Sequence, residues 1–154
     1  MEMSIIRADI SDIETVKYIT TETINSIYPH YYPEGAVDFF LGHHNDKNIE
    51  NDIRVGIVYL CFDNENNAVG TVTVKENEIC RLFVLPEYQG NGYGKELISF
   101  AENKISEKYN EIILHASLPA KAIYLKKGYK EIEFHSIKTE NGDYLCYDMM
   151  IKQI

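Results

Sequence analysis

The sequence predicts a single α/β domain, an α+β mixed sheet with helices packed on it, over residues 1–154. The chain has 154 residues, 45% of them hydrophobic and 25% charged, which suits one sizeable core. Strand-like and helix-like segments follow one another in the order β-α-α-β-β-β-α-β-α-β-β. No repeat, low-complexity tract or Pro/Gly/Ser-rich linker interrupts this order, so we expect no domain boundary.

The first third of the chain predicts one strand and two helices. Residues 4–8 are typical of a short strand, and Ser11, followed by acidic residues, is the expected N-cap of the first helix. Apolar residues recur at helical spacing from there until Pro29. A stiff aromatic connection, residues 28–35, leads to the second helix at 36–44.

The middle of the chain predicts three antiparallel strands in a meander. Residues 54–62, 69–75 and 78–85 are rich in valine, isoleucine and threonine. The Asp- and Asn-rich segment 63–67 supplies the turn between the first two of them.

The last third predicts two helices, a short buried strand and a hairpin. The hairpin is indicated by Asn141-Gly142, and Gly128 is the expected end of the shorter helix. These elements cover a long helix through Ile105, a strand at 112–115, a helix at 120–127, and strands at 129–138 and 144–151.

The charge and hydropathy of the chain exclude several classes of protein. Fifteen Lys and Arg against 24 Asp and Glu give a net charge of −9, the opposite of what phosphate contacts require, so we expect no nucleic-acid partner. No apolar run approaches the roughly 20 residues that span a bilayer, and no signal-like segment opens the chain. We expect a cytoplasmic protein without membrane association, whose acidity serves solubility or attracts a cationic substrate.

Neither the cysteines nor the histidines predict a metal site or a disulfide. Cys61, Cys80 and Cys146 form no CxxC pair, and each lies in a strand-like stretch, so buried reduced thiols are expected. The adjacent His43 and His44 point in different directions on any regular element, and no HExxH pattern is present.

A glycine-rich turn between a strand and a long helix is the most informative segment. In Gln89-Gly-Asn-Gly-Tyr-Gly94, the glycines allow close approach to backbone N–H groups at a helix N-terminus, which favours a pyrophosphate-bearing ligand. A Walker A loop is excluded by Gln89 and Glu96, and the G-x-G-x-G spacing does not match a dinucleotide fingerprint. An ordinary strand-to-helix turn is the alternative.

This segment resembles the Q/R-x-x-G-x-G/A signature of the GCN5-related N-acetyltransferases (GNAT). Val84-Leu-Pro86 matches the V-x-P lead-in of that family, and the segment from Ala120 to Tyr129 is similar to its A-x-x-L-Y-x-x-x-G-F motif. The order of elements agrees from Ser4 to Ile151, so the resemblance covers nearly the whole chain.

The resemblance implies acetyl-CoA as co-substrate, held where the strand ending at Leu85 splays from the parallel strand at 112–115. The pyrophosphate is expected on the loop backbone and the pantetheine beside the strand, with Ser117 standing where relatives often have Asn. The implied cofactor-binding residues are Phe83, Val84, Leu85, Gln89, Gly90, Asn91, Gly92, Tyr93, Gly94, Lys95 and Ser117.

The resemblance also implies direct attack by an amine on the thioester. Tyr124 is then the general acid for the departing thiolate, unless it only packs, and a backbone N–H near Val84 or Leu85 stabilises the oxyanion. The position at which some relatives carry a basic glutamate is Cys80 here. Glu78, on the same strand face, is the candidate base acting through water, and an ordinary surface acid is the alternative.

The acceptor is predicted to be a small cationic amine such as a polyamine or an amino sugar. Tyr28, Tyr31 and Tyr32, with Glu34 and Asp38 beyond them, suit an ammonium group through cation–π contacts and ion pairing. Simple packing of an aromatic hinge explains the tyrosines equally well. A protein or peptide amine, or a non-catalytic acyl-CoA-binding module, are the alternative functions.

The last two strands also predict self-association. Residues 132–134 and 144–150 are β-rich edges, and relatives often dimerise through such regions, so a homodimer is expected.

Overall fold

The computed structural model describes residues 2–154 as a mixed sheet with helices on both faces, which confirms the predicted fold class. The eight strands are β1 Ser4–Arg7, β2 Val58–Phe62, β3 Ala68–Lys75, β4 Glu78–Ile79, β5 Phe83–Val84, β6 Glu111–Ala116, β7 Lys130–Lys138 and β8 Tyr144–Gln153. The α-helices are α1 Ile13–Ile27, α2 Glu34–His43, α3 Asp46–Arg54, α4 Tyr93–Ser106 and α5 Leu118–Lys126. Short 3₁₀ turns cover Ile10–Asp12, Tyr28–His30 and Pro86–Tyr88.

The strands lie in the order β1-β2-β3-β4-β6-β8-β7, and β5 pairs with β3 outside this path. Every pairing is antiparallel except that of β4 with β6, in which Glu78 lies beside Ile113 and Ile79 beside Leu114. The meander of β2, β3 and the segment after β3 is therefore antiparallel, as predicted.

The sheet separates two hydrophobic cores. Helices α4 and α5 cover one face, and α1, α2 and α3 cover the other. Alternation along β2 shows the division, since Tyr59 and Cys61 pack under α4 while Val58 and Leu60 pack against α1 and α3. Both faces of the central strands are thus buried.

A bulge divides the strand predicted at residues 78–85, which corrects that prediction. Thr73 of β3 opposes two residues, because its carbonyl accepts from Cys80 N at 2.8 Å and its own N–H donates to Arg81 O at 3.1 Å. Before the bulge β4 pairs with β6; after it β5 pairs with β3 alone. The sheet therefore opens between β5 and β6, and Cys80, predicted to be buried, is exposed.

Helix α3 was absent from the prediction, which extended a strand from residue 54. Asn45 caps this helix by accepting a hydrogen bond from Asn48 N at 2.9 Å, and only Ile49 and Ile53 are buried among its residues. Gly56, at φ +78°, then turns the chain into β2. Within residues 2–154, no helix has both the length and the apolar character needed to cross a membrane.

The start of α1 also differs from the prediction in its capping residue. Ser11 is not the cap, and Asp12, the residue before α1, makes no side-chain capping bond. The capping pair lies one turn earlier, where the Asp9 carboxylate accepts from Ser11 N at 2.9 Å and the Asp12 carboxylate accepts from Asp9 N at 3.0 Å. This reciprocal pair holds the 3₁₀ turn that leads into the helix.

Candidate functional site

Two cavities adjoin at the point where β5 leaves β6. The first, which we call the loop cleft, has a volume of about 370 Å³ and runs from the glycine loop to α5. The second, the side cavity, has a volume of about 750 Å³ and lies between α2, α3 and the sheet. The residues that line both are Phe40, His44, Cys80, His115 and Ser117.

The floor of the loop cleft is the glycine loop and the N-terminus of α4. Gly90 and Gly92 have φ of +80° and +91°, a backbone that favours glycine, and Gln89 Nε2 donates to Val84 O at 2.9 Å. The turn is therefore fixed with the amide end of α4 open to the cleft. Of the residues predicted to bind the cofactor, Phe83, Val84, Gln89, Gly90, Gly92, Tyr93, Gly94, Lys95 and Ser117 line it, whereas Leu85 and Asn91 do not.

The edge of β5 presents one free amide to the cleft. Leu85 N donates to Val69 O at 2.9 Å, and Phe83 lies opposite Thr71, so both residues direct their backbone toward β3. Because successive residues of a strand face opposite edges, the N–H of Val84 faces β6 and the opening. Of the two amides proposed from sequence, only that of Val84 has this orientation.

Tyr124 forms the opposite wall of the cleft from the body of α5. Its side chain is only 7% exposed, and its ring packs edge-on against Tyr129 with centroids 5.5 Å apart. Burial raises the pKa of the Tyr124 phenol above its usual value, and the neighbouring Tyr28 phenol adds to the rise. The hydroxyl is therefore protonated throughout the neutral range and available as a donor.

The three tyrosines predicted to contact an acceptor occupy different places. Tyr28 lines the loop cleft. Tyr32 is buried, and its hydroxyl donates to Cys146 O at 3.1 Å and accepts from Leu118 N at 2.7 Å, which ties the hinge to β8 and α5. Tyr31 is 52% exposed and lines neither cavity.

A carboxylate–imidazole pair lies where the two cavities meet. Glu78 Oε1 is 2.9 Å from His115 Nδ1, and Glu78 lines the side cavity while His115 lines both. The parallel pairing of β4 with β6 brings them together on one face. Glu78 was a sequence candidate; His115, 37 residues away, was not, since no local motif marks it.

A buried cation stands in the wall of the side cavity. Arg81 is 4% exposed, its Nη1 donates to Thr73 Oγ1 at 2.9 Å, and its Nη2 donates to Asp52 Oδ2 at 3.1 Å. Its Nε is buried without a hydrogen-bond partner. The Asp52 carboxylate comes from α3, so the helix that the sequence did not predict supplies the counter-charge.

His44, at the end of α2, is a neutral imidazole between the cavities. Burial, followed by the charge of Arg81, lowers its pKa to about 3. Its ring packs edge-on against Phe83 with centroids 5.5 Å apart, and its Nδ1 is buried without a partner. His44 is consequently uncharged at neutral pH.

The histidine pair singled out in the sequence makes an aromatic contact. The rings of His43 and His44 lie edge to face, with centroids 4.9 Å apart. Across residues 2–154, no three His, Cys, Asp or Glu side chains are grouped as metal ligands.

Comparison with known proteins agrees with the fold described above. Residues 27–150 match the sequence model of the acetyltransferase (GNAT) domain. No curated protein matches the chain.

Solved structures share the fold at low identity. A GCN5-related N-acetyltransferase from Rhodopseudomonas palustris is 20% identical, with a TM-score of 0.87 over 100% of this chain and 99% of its own. The PaiA N-acetyltransferase of Thermoplasma acidophilum, in complex with coenzyme A, is 22% identical, with a TM-score of 0.77 over 100% of both chains. An Arabidopsis thaliana protein in complex with the bisubstrate analogue CoA-Ac-MVNAL is 22% identical, with a TM-score of 0.70 over 100% of both chains.

Proposed function

The chain belongs to the GNAT acetyltransferase family, and from this premise we propose that it transfers an acetyl group from acetyl-CoA to a primary amine by direct attack. The observation that carries the proposal is the opening between β5 and β6, bounded by the free amide of Val84 on one side and by Tyr124 on the other. The fold neighbour from Thermoplasma acidophilum, which holds coenzyme A, supports acyl-CoA as the donor.

The cofactor lies across the loop cleft in this proposal. Its pyrophosphate accepts hydrogen bonds from the amides of residues 89–95 at the N-terminus of α4, where the helix dipole and Lys95 favour negative charge. Its pantetheine arm extends along β5 as an added strand, near Phe83, Val84 and Leu85, with Ser117 on the far side. Acetyl-CoA is a co-substrate here, and no metal takes part in the proposal.

The chemistry needs an oxyanion donor and a partner for the leaving thiolate. The N–H of Val84 donates to the carbonyl oxygen as negative charge develops on it. The raised pKa of Tyr124 makes full proton transfer to a thiolate uphill, since an ordinary thiol has a pKa of about 8.5. Tyr124 therefore acts chiefly as a hydrogen-bond donor to the departing sulfur, and the sulfur takes up its proton as the products separate.

The acceptor enters through the side cavity, which meets the loop cleft at His115 and Cys80. Phe39, Phe40 and Tyr147 give this cavity aromatic walls, and Glu78 gives it a carboxylate, whereas the Asp52 carboxylate is paired with Arg81. Aromatic faces with carboxylates suit a small cationic amine. A peptide amine is the second candidate, favoured by the fold neighbour that holds the bisubstrate analogue CoA-Ac-MVNAL.

Release of free thiol tests the proposal directly. The protein is incubated with acetyl-CoA and one amine at a time, drawn from diamines, amino sugars and short peptides, and the acetylated product is identified by mass. We expect thiol release above the amine-free blank with at least one member, and the class of that member decides between the two acceptors. Measurable CoA binding in calorimetry without release for any amine would instead indicate a non-catalytic acyl-CoA-binding module.

We also propose that the protein is a homodimer joined through β7, the last strand of the sheet. Its outer edge has no strand partner among residues 2–154, and Ile132 and Phe134 on this strand are 52% and 63% exposed. Strand β8, which was also predicted to be an edge, instead lies between β6 and β7. A second copy pairing at this edge covers these side chains. Light scattering at tens of micromolar, about the range of a −6 kcal/mol association, should give the dimer mass. Phe134→Glu should give the monomer, and a monomer in the unaltered protein removes the proposal.

A further inference from the structure

We propose that His115 is the general base that deprotonates the acceptor ammonium, and that Glu78 is the positioning residue that orients its ring. This inference rests on the proposed acetyl transfer and identifies a proton acceptor for it. It replaces the idea that the Glu78 carboxylate acts on the amine through water.

The hydrogen bond between the two side chains fixes the tautomer of the imidazole. Glu78 Oε1 and His115 Nδ1 are 2.9 Å apart. An ionised carboxylate only accepts hydrogen bonds, so Nδ1 carries a proton, and in the neutral ring it is Nε2 that keeps its lone pair. No hydrogen bond from Nε2 to the protein is found among residues 2–154. The pair therefore presents a free basic nitrogen.

The position of the ring suits proton removal beside the thioester. His115 lines both cavities, so its ring stands where an amine in the side cavity meets an acyl group in the loop cleft. Its side chain is 44% exposed, which gives it a route for passing the proton to solvent. The edge-on Tyr147 ring, 5.5 Å away between centroids, supports it from β8.

His44 and Cys80 also line both cavities and can titrate, but neither is a better base than His115. Burial and the charge of Arg81 lower the pKa of His44 to about 3, so its nitrogen is too weakly basic to deprotonate an ammonium at neutral pH. A thiol such as Cys80 must first ionise, and it carries no orienting carboxylate hydrogen bond. His135 on β7 and Tyr147 on β8 lie edge-on to the His115 ring. The other charged or titratable groups that line the side cavity with His115 are Glu78, Lys75, Arg81, Asp52 and His43.

The proton and bond changes balance without another reactant. His115 Nε2 takes one proton from R–NH3⁺ and later releases it to solvent. The free amine forms the C–N bond, the carbonyl electron pair moves to oxygen and returns, and the C–S bond breaks. The second proton lost by the nitrogen matches the one that the thiolate gains, so the products are the amide, CoA thiol and one proton.

Rate measurements on His115→Asn test the base, with the exposed His30→Asn as control. With an alkyl amine at pH 7, kcat/KM should fall by about 10²-fold or more in His115→Asn, within the 10²–10⁴ range of general catalysis. In the unaltered protein, kcat/KM for this amine should rise by less than tenfold per pH unit above pH 7, because the base takes the proton that the ammonium brings. In His115→Asn it should keep rising about tenfold per pH unit toward the amine pKa of about 10.4. CoA affinity, measured by calorimetry, should not change in either variant.

A weakly basic acceptor separates proton removal from simple positioning. An aromatic amine or hydroxylamine arrives unprotonated at pH 7 and needs no base before attack. His115→Asn should therefore keep its kcat/KM within about threefold for such an acceptor, well under the usual 10² contribution of a general base. An equal loss for both kinds of amine would show a positioning or packing role and overturn the proposal.

Glu78→Gln tests the orienting bond, and the exposed Glu76→Gln is its matched control. Nitrogen-15 NMR of the histidine rings should show His115 as the Nδ1–H tautomer in the unaltered protein and in Glu76→Gln, and a mixture in Glu78→Gln. A mixed tautomer in the unaltered protein would remove the role of Glu78. Absence of turnover in the unaltered protein overturns acetyl transfer and the base with it, whereas undiminished turnover of an alkyl amine at pH 7 in His115→Asn overturns the base alone.

Discussion

The loop cleft and the side cavity adjoin, yet they are built from different parts of the chain. The floor of the loop cleft comes from one continuous segment, residues 83–95, whose glycines leave backbone amides accessible, and side chains of α1 and α5 surround it. The side cavity is made of side chains that α2, α3, β4, β6 and β8 bring together. A site that binds through backbone amides leaves glycines in the sequence, and a site that binds through side chains leaves no compact motif. This contrast explains why the donor is easier to recognise than the acceptor.

Gly94→Val tests whether backbone amides of the loop cleft bind CoA. Among the predicted effects, its loss of CoA affinity should be the largest. Gly94 has an ordinary helical φ, and an added Cβ meets nothing nearer than Val84 Cγ2 at 3.8 Å, so the fold accepts the larger residue. Displacing the pyrophosphate from two amides costs about 3–6 kcal/mol, roughly 10²–10⁴ in Kd. Calorimetry measures this, with Gly42→Val on α2, where nothing lies within 4 Å, as control. Unchanged affinity would contradict the assignment of the loop.

Tyr124→Phe sharpens the comparison, because it changes a side chain within the backbone-built cleft. In the proposed mechanism the phenol donates mainly as the thiolate leaves, while the ring packs on Tyr129 in both variants, so kcat should fall and CoA affinity should hold. We expect a loss of about 10²-fold, the lower end for such groups, since a thiolate is a good leaving group. Steady-state rates at saturating amine give kcat, and the exposed Tyr109→Phe is the control. A kcat within about twofold of the unaltered protein, far below that range, means that Tyr124 only packs.

Asp52→Asn tests whether the side cavity depends on its internal charge pair. The change leaves the Arg81 guanidinium, 4% exposed, without its counter-charge, and breaking a buried pair costs about 3–5 kcal/mol. Because the Asp52 side chain is 28% exposed, we expect a smaller loss, about 2 kcal/mol of unfolding free energy. Denaturant unfolding measures it. Asp46→Asn, which breaks the exposed pair with Lys17, should cost clearly less because solvent screens that pair, and equal costs would contradict the prediction.

The smallest predicted change is in the free energy of unfolding, concerns His44 and appears only below neutral pH. Its folded-state pKa, about 3, lies below the ordinary value of about 6.5, so the unfolded chain binds more protons between those values. The free energy of unfolding should therefore decrease as the pH falls from about 6.5 toward 3. His44→Asn removes this contribution, and the stability of this variant relative to the unaltered protein should rise by about 0.7 kcal/mol between pH 7 and pH 6. A difference that does not change with pH in denaturant unfolding would contradict the prediction.

The sequence predicted the fold class and most elements because local periodicity and turn residues mark them. Helix α3 was not predicted, because only Ile49 and Ile53 of that helix are buried and because Val55 and Ile57 are typical of the start of a strand. The bulge after Ile79 leaves no trace in an apolar run, since it depends on Thr73 opposing two residues. Such a break depends on how two strands pair with each other, and the residues of one strand alone do not determine that pairing.

The site residues that lie in short sequence motifs could be predicted, whereas those that the fold brings together from distant segments could not. The glycine loop and Tyr124 are found in short motifs, and the structure brings them to one cleft. His115 and Arg81 could not be singled out, because an isolated histidine or arginine in a strand has no distinguishing neighbour in sequence. Their partners, Glu78 and Asp52, come from segments whose register and helicity only the folded chain reveals.

The opening between β5 and β6 leaves the sheet one strand short. Without a ligand, the N–H of Val84 should exchange quickly with deuterated solvent, and this part of the molecule should be the first to admit a protease. In the proposed complex an acyl-CoA lying along β5 supplies the missing strand, and at a hundred times its Kd it should add about 2.7 kcal/mol to the free energy of unfolding. The survival of the protein in a proteolytic environment is thereby linked to the concentration of acyl-CoA.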